Sequence, residues 1–208
     1  MKVVFTMGGI THYLSPLLDN VVRKGVDVVM VIPSVKDNQT IGKGVKLVNN
    51  EALYQVRYSE IKQGWYGKTI LTDLKTILNE EKPDIVVLGW PYFLQYFFDR
   101  QLRLLIKENN IKLIIREIPF QVPPFGQLSY FKENPVYDEN MILQSRGMSF
   151  FIRALCTMYI RKFVYKHADA TINYASCAYD ILPSYGVNKD KIFVTYNTPN
   201  TESLIRLR

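Results

Sequence analysis

The first stretch that could do chemistry is Thr6-Met7-Gly8-Gly9-Ile10-Thr11, followed by His12. Two adjacent glycines stand where an apolar strand bends into a helix. A ligand oxygen can therefore approach the backbone N–H groups and the positive end of a helix over residues 12–24. Recognition of an anionic group is the chemistry this favours; without a ligand, Gly8 and Gly9 simply make a turn. The spacing is not G-x-G-x-x-G, and no G-x-x-x-x-G-K-[ST] occurs, so the usual dinucleotide and ATP motifs are absent. His12 and His167 are the only histidines, and no Cys/His/Asp spacing suggests a metal site. Neither a G-x-S-x-G elbow nor a Cys/His pair is visible.

The surrounding elements must position this turn. Residues 3–6 read as a strand and 27–32 as a second, near-continuous in Val and Ile, as expected for strands buried on both faces of a parallel sheet. Between them Leu14, Leu17, Leu18, Val21 and Val22 recur at helical spacing, and Gly25 closes the helix. Residues 45–49 read as a third strand, 51–64 as irregular and 67–81 as an amphipathic helix. Strands follow at 85–88 and 111–116, separated by one helix running to about residue 109. Residues 118–147 carry Pro119, Pro123, Pro124, Gly126, Pro135 and Gly147, and read as a long loop. Met148–His167 reads as a strong helix. Strands near Ile172 and Ile192 enclose a further helical stretch. The alternation predicts a doubly wound, mostly parallel α/β sheet of about six or seven strands, in one domain over residues 1–208. Ligands of such sheets bind at the carboxyl ends of strands. That rule selects residues 8–12, 89–92, 116–120, 174–176 and 197–200, and predicts that they share one edge.

The chain has 208 residues, 48% hydrophobic and 22% charged. This is an ordinary globular composition, enough to bury roughly 70% of the unfolded surface. A net charge of +7 suits anionic partners, though many soluble domains are this basic. Cys156 and Cys177 read as small core residues of a reduced, cytoplasmic protein. The N-terminus enters a strand directly and has no signal-peptide h-region. No apolar run reaches the ~20 residues of a spanning helix.

The order of several motifs resembles the N-terminal, acceptor-binding domain of a GT-B glycosyltransferase of family 4. These are Met7-Gly8-Gly9; Lys24-Gly25-Val26-Asp27-Val28; Lys82-Pro83-Asp84-Ile85-Val86-Val87; Ala168-Asp169-Ala170-Thr171-Ile172 followed by Ser176; Tyr185-Gly186-Val187 up to Lys191-Ile192; and Tyr196-Asn197-Thr198-Pro199-Asn200. The resemblance implies a retaining, nucleotide-sugar-dependent transferase acting in polysaccharide or glycan biosynthesis. It implies that Gly8 and Gly9 admit the donor and that Glu117 or Arg116 orients an acceptor hydroxyl or anion. Trp90 and Phe120 would stack on sugar rings, with His12, Ser176 and Asn197 also at the binding edge. Packing for Trp90, turn chemistry for Asn197 and a salt bridge from Glu117 to Arg116 or Arg146 are the plain structural alternatives. Where many members have a donor-contacting His, this chain has the segment around Glu117, and Asn200 stands for a usual Asp.

The family's second domain carries two glutamates eight residues apart; here no Glu has another eight residues later. The expectation is therefore a half-machine without a cofactor of its own. Its nucleotide-sugar donor would bind mainly a missing C-terminal domain or a separate donor subunit, and this chain alone would be inactive. A sugar or lipid-linked acceptor is the implied partner. A non-catalytic α/β partner subunit is the alternative. Nucleic acid is not expected, because the basic residues are dispersed and no recognition motif appears. Two stretches suit peripheral contact at the inner face of a membrane. One is Met148–His167, apolar with a basic rim, which can equally be a core helix. The other is the Pro-rich loop with Phe120, Phe125, Tyr130 and Phe131.

Overall fold

The computed structural model describes residues 1–35, 47, 52–64, 67–119, 122–135, 143 and 146–196. The strand read at 45–49 therefore lies outside the described residues except for Leu47, which bridges Thr11 in antiparallel fashion. Phe120 and the turn 197–200 also lie outside them. The chain divides into two compact units, Met1–Arg116 and Glu117–Thr195, with Tyr196 grouped with the first.

The first unit is built on five parallel strands in the order β3-β2-β1-β6-β7. They are β1 (Lys2–Thr6), β2 (Asp27–Pro33), β3 (Gln55–Ser59), β6 (Ile85–Gly89) and β7 (Lys112–Glu117), whose last residue opens the second unit. The register is continuous: Phe5 pairs with Met30 on one side and Val87 on the other, and Gly89 pairs with Arg116. β2 is buried from Val28 to Pro33, which is why it reads as an unbroken apolar run. The third strand is Gln55–Ser59, inside the stretch expected to be irregular. Its alternation is weak because Gln55 and Tyr58 are exposed and Arg57 is only half-buried. An antiparallel pair, β4 (Ile61–Gln63) and β5 (Thr69–Leu71), follows. The helix expected from residue 67 therefore begins later, as α2 (Leu74–Glu81).

Helix α1 (Leu14–Arg23) packs Leu14 and Leu18 into a core with Phe5, Val28, Met30, Ile32 and Val87. Tyr54 joins this core and its hydroxyl donates to Ser15 Oγ at 3.0 Å. Gly25 ends the helix at φ +84°, a conformation that costs other residues a Cβ clash. The single helix expected up to residue 109 is two: α3 (Phe93–Phe98) and α4 (Arg100–Glu108). Asp99 divides them. Its backbone is extended and its carboxylate accepts the Leu102 N–H at 3.1 Å, so it caps α4.

The second unit contains a short helix, α5 (Tyr130–Glu133), inside the expected loop. Then come α6 (Met148–His167), β8 (Ala170–Asn173), α7 (Ala178–Ile181), 3₁₀ turns at Leu182–Tyr185 and Lys189–Lys191, and β9 (Ile192–Val194). β8 and β9 are parallel. Seven parallel-paired strands with flanking helices, five in one unit and two in the other, make the chain α/β and Rossmann-like, as the alternation predicts. Cys156 is exposed and Cys177 half-exposed, both free thiols, so neither is the core residue expected of it. Among the described residues no helix is long and apolar enough to cross a membrane.

One buried side chain does the work of a missing strand. The Gln95 amide accepts from the Leu71 N–H at 3.2 Å and donates to the Leu71 carbonyl at 2.9 Å. Replacing it with Leu keeps the volume and strands both backbone groups. Gln95→Leu is expected to lower unfolding stability by about 2–4 kcal/mol in a urea titration, with Gln95→Glu between it and the wild type.

Candidate functional site

Three strand ends meet at the carboxyl edge of the first unit, as the rule for parallel sheets requires. The Thr6 hydroxyl ties two of them, donating to the Val87 carbonyl at 3.1 Å and accepting from the Gly89 N–H at 3.3 Å. A Cβ on Gly89 would stand 3.7 Å from the Thr6 carbonyl and 3.9 Å from that of Arg116, so the three strands are in close order here. After β1 the chain turns through Gly8 and Gly9 to Thr11. The Thr11 carbonyl accepts the Leu14 and Ser15 N–H groups at 3.2 and 3.0 Å, so these first-turn donors of α1 are committed to the turn. Only N–H groups before Leu14 could then meet a ligand at this turn. Thr11 is itself 2% exposed, and its hydroxyl is among the buried polar atoms without a hydrogen-bond partner.

Arg116 brings the charge. It is buried at the end of β7, its guanidinium donates to Met7 Sδ at 3.5 Å, and it lies 5.8 Å from the centre of the Phe5 ring. Burial pulls its pKa down to about 10 against the opposing influence of Tyr13, so it remains a cation at neutral pH. His12 is exposed and meets the Tyr13 ring edge-on at 5.3 Å. Thus Gly8, Gly9, His12 and Arg116 are brought to one place. Tyr13, which was not singled out in the sequence, joins them; a Tyr at the entry to α1 carries no local signal of its own. Trp90 follows Gly89 at the same edge. Its ring packs against Phe93 at 5.4 Å and lies 5.9 Å from Lys68 Nζ.

Glu117 and Ser176 belong to the second unit, which has its own polar centre. Glu117 is 4% exposed, and its Oε2 accepts from the Tyr165 hydroxyl at 2.8 Å and from Arg161 Nε at 3.2 Å. Its Oε1 takes the Ile118 N–H at 3.3 Å. The ion-pair partner is therefore Arg161, not Arg116 or Arg146. Burial by itself would lower the Arg161 pKa, but the Glu117 carboxylate and the neighbouring phenols outweigh it and the net shift is upward. Burial and then Glu117 raise Tyr165 well above the ordinary phenol, and burial lifts Tyr185 to about 12. Arg161 and Tyr165 are four residues apart on α6, a cation and a phenol on one face. That spacing was the available sign that a buried acid lay opposite.

Around this centre the Tyr185 hydroxyl donates to the Pro123 carbonyl at 2.7 Å and Ser184 Oγ accepts the Phe125 N–H at 2.8 Å. Lys162 Nζ sits 4.0 Å over the Phe125 ring. The Arg146 guanidinium donates to the Phe131 and Asn134 carbonyls at the end of α5 and stacks on Phe131 and Phe150. Phe125, Tyr130 and Phe131 are consequently half-buried, not the exposed aromatics that membrane contact through this loop would need. Ser176 is exposed in the turn before α7, its carbonyl accepting from Tyr179. Among the described residues no group of acids, His and Cys could hold a metal ion.

No family model and no curated protein matches the sequence. Solved structures do. UDP-N-acetylglucosamine 2-epimerase from Rickettsia bellii is similar at 14% identity, over 100% of this chain and 47% of that one, with a TM-score of 0.50. Another UDP-N-acetylglucosamine 2-epimerase is 16% identical over 95% and 48%, with a TM-score of 0.49. A dTDP-glucose 4,6-dehydratase from Bacillus anthracis is 12% identical over 83% and 54%, at 0.43. The chain spans about half the length of these proteins. At such identities the first likeness speaks to fold alone, and that fold is the Rossmann-like α/β arrangement described above.

Removing one member of the buried pair leaves the other charge unsatisfied. Arg161→Met is expected to destabilise the protein by about 3–5 kcal/mol in chemical unfolding. The double variant Glu117→Gln/Arg161→Met should recover part of that loss. Strict additivity of the two single changes would show that the pair is not coupled.

Proposed function

We propose that this chain is the acceptor-binding half of a nucleotide-sugar-dependent retaining glycosyltransferase acting in polysaccharide or glycan biosynthesis. The observation that carries the reading is the gathering of Gly8, Gly9, Tyr13 and the buried cation Arg116 at the carboxyl edge of the first unit. A fixed guanidinium beside a glycine turn suits the phosphate of a donor or an anionic acceptor, which it can engage with two parallel N–H groups. The similar structure with a TM-score of 0.50 is named for a UDP-sugar, which agrees with that chemistry. Trp90 would offer an aromatic face to a sugar ring.

On this reading Glu117 is a positioning residue. Both of its oxygens are engaged, so it holds the backbone at Ile118 and does not abstract a proton. Retaining transfer with the leaving phosphate as base needs orientation and dipoles more than a strong protein base. The same engagement favours the second reading, a non-catalytic partner subunit that needs a separate donor-binding protein to act.

Titration of the isotope-labelled chain with UDP, UDP-N-acetylglucosamine and inorganic phosphate separates these. The expected result is millimolar binding of the diphosphates, with amide shifts concentrated at Gly8, Gly9, Thr11 and Gly89. Arg116→Gln should weaken that binding by about tenfold or more. Shifts confined to other regions, or none at all, would remove the reading of this edge as the place where a donor phosphate or an anionic acceptor is met. Sugar transfer by the purified chain alone would overturn the assignment as an acceptor half.

A further inference from the structure

A second cavity of the first unit lies apart from the glycine turn. Its volume is about 480 Å³, within the range of about 300–1,000 Å³ usual for small-molecule sites. Neither the 6–13 segment nor Arg116 lines it. One wall is the β4–β5 hairpin and the other is the corner where α3 gives way to α4. In the antiparallel register Lys62 stands opposite Ile70, so both side chains leave the hairpin on one face. Phe98 ends α3 and supplies an aromatic surface, its ring set at 89° to that of Phe97 with centroids 4.8 Å apart. Gln95, 5% exposed, ties the two walls together through both backbone groups of Leu71. The cavity is thus formed before any ligand arrives, which lowers the cost of binding.

The polar groups around it are unevenly engaged. Lys75 Nζ lies 3.0 Å from Asp99 Oδ2 and donates to Gln101 Oε1 at 3.0 Å. The other Asp99 oxygen takes the Leu102 N–H. The acid of this wall is therefore neutralised and the Gln101 oxygen is occupied. Donors are left over: the Lys62 ammonium, the Arg100 guanidinium and the Gln101 amide hydrogens. Lys62 and Arg100 are exposed, and among the described residues neither forms an ion pair. Gln63 Nε2 donates to the Gly67 carbonyl at 3.2 Å, which leaves the Gln63 side-chain oxygen as an acceptor. Two cations and a donor amide select an anion. An aromatic and aliphatic surface beside one acceptor suits a ring that carries hydroxyls.

We infer that this cavity binds an anionic sugar. Lys62 and Arg100 hold its carboxylate or phosphate, Phe98 and Ile70 face the C–H side of its ring, and Gln63 and Gln101 meet its hydroxyls. The site lies wholly in the first unit and does not depend on the glycosyltransferase reading.

The test is amide-detected titration of the isotope-labelled chain with glucuronate, glucose 6-phosphate, glucose, acetate and inorganic phosphate. The expected result is that an anionic sugar shifts the amides of Gly64, Ile70, Arg100 and Gln101, and the tighter of the two identifies the anion. Glucose, which lacks the charge, should bind about tenfold more weakly or worse. Acetate and inorganic phosphate, which lack the ring, should also bind more weakly than the sugars that carry those groups. Arg100→Gln and Lys62→Gln, both at exposed positions, should each weaken binding about tenfold without moving the melting temperature. Absence of these shifts with both anionic sugars, or binding indifferent to the two substitutions, overturns the proposal. Equal binding of glucose removes the role of the cations, and equal binding of the bare anions reduces the site to a charged patch; either result overturns it. Shifts at Gly8 and Gly9 in place of these would put the sugar at the carboxyl edge and overturn it too.

Discussion

The parallel register of β1 between β2 and β6 is the constraint on which the first unit depends. Three strands that run the same way end at the same edge, so whatever follows them is collected there without any long-range design. The Thr6 hydroxyl makes the collection tight. It lies on a strand end with no room for water, and it is satisfied only because β6 presents the Val87 carbonyl and the Gly89 N–H to it. Replacing Thr6 with Val would leave two buried backbone groups without that partner, at the very edge where Gly89 and Arg116 stand in register. The local chemistry of the candidate site is thus a by-product of strand pairing. The glycine turn and the cation need no contact in sequence to become neighbours in space.

Desolvation organises the second unit in a different way. A carboxylate as buried as Glu117 is tolerable only with a cation and further donors at hydrogen-bond distance. Arg161, Tyr165 and the Ile118 N–H supply them. The arrangement fixes α6 in rotation about its own axis, because both side-chain donors lie on one face. Tyr185, held by the Pro123 carbonyl and packed edge-on to Tyr165 at 5.4 Å, extends the same centre. The proline-rich stretch is consequently anchored at its start, and its aromatics are used for packing against α6 and the 3₁₀ turn.

The strands β1, β2, β6 and β7 and the helix α6 were legible in the sequence because each carries one strong periodic signal. β3 was not, since Gln55, Arg57 and Tyr58 dilute the alternation of an edge strand whose pairing with β2 is a tertiary fact. Thr69-Ile70-Leu71 matched the helical face that follows it, and only its pairing with Ile61–Gln63 reveals a strand. The division at Asp99 was readable in principle, as a capping residue inside an otherwise continuous apolar pattern. At the candidate site, Gly8, Gly9, His12 and Arg116 were found by the strand-end rule, which needs only the order of elements. Tyr13 and the partner of Glu117 were not; for the latter the one local sign was the four-residue spacing of Arg161 and Tyr165, which does not say which acid faces them.

Helix α6 shows the same limit from the other side. Its sequence offers apolar residues nearly all round, which reads as a wide core-facing surface or as an interfacial helix, with nothing local to choose between them. Two apolar stripes on opposite sides cancel each other's directional signal. The Glu117 bonds settle the rotation, since they require Arg161 and Tyr165 inward and therefore put Met148, Ile152, Leu155 and Tyr159 outward. A helix rotated to bury that stripe instead would have to expose Val164 and Tyr165 and leave Glu117 buried without its cation. Loss of the ion pair alone costs about 3–5 kcal/mol, and the burial of Met158, Val164 and Tyr165 would be lost with it. The buried pair in the core thus dictates which apolar surface the protein leaves on its outside.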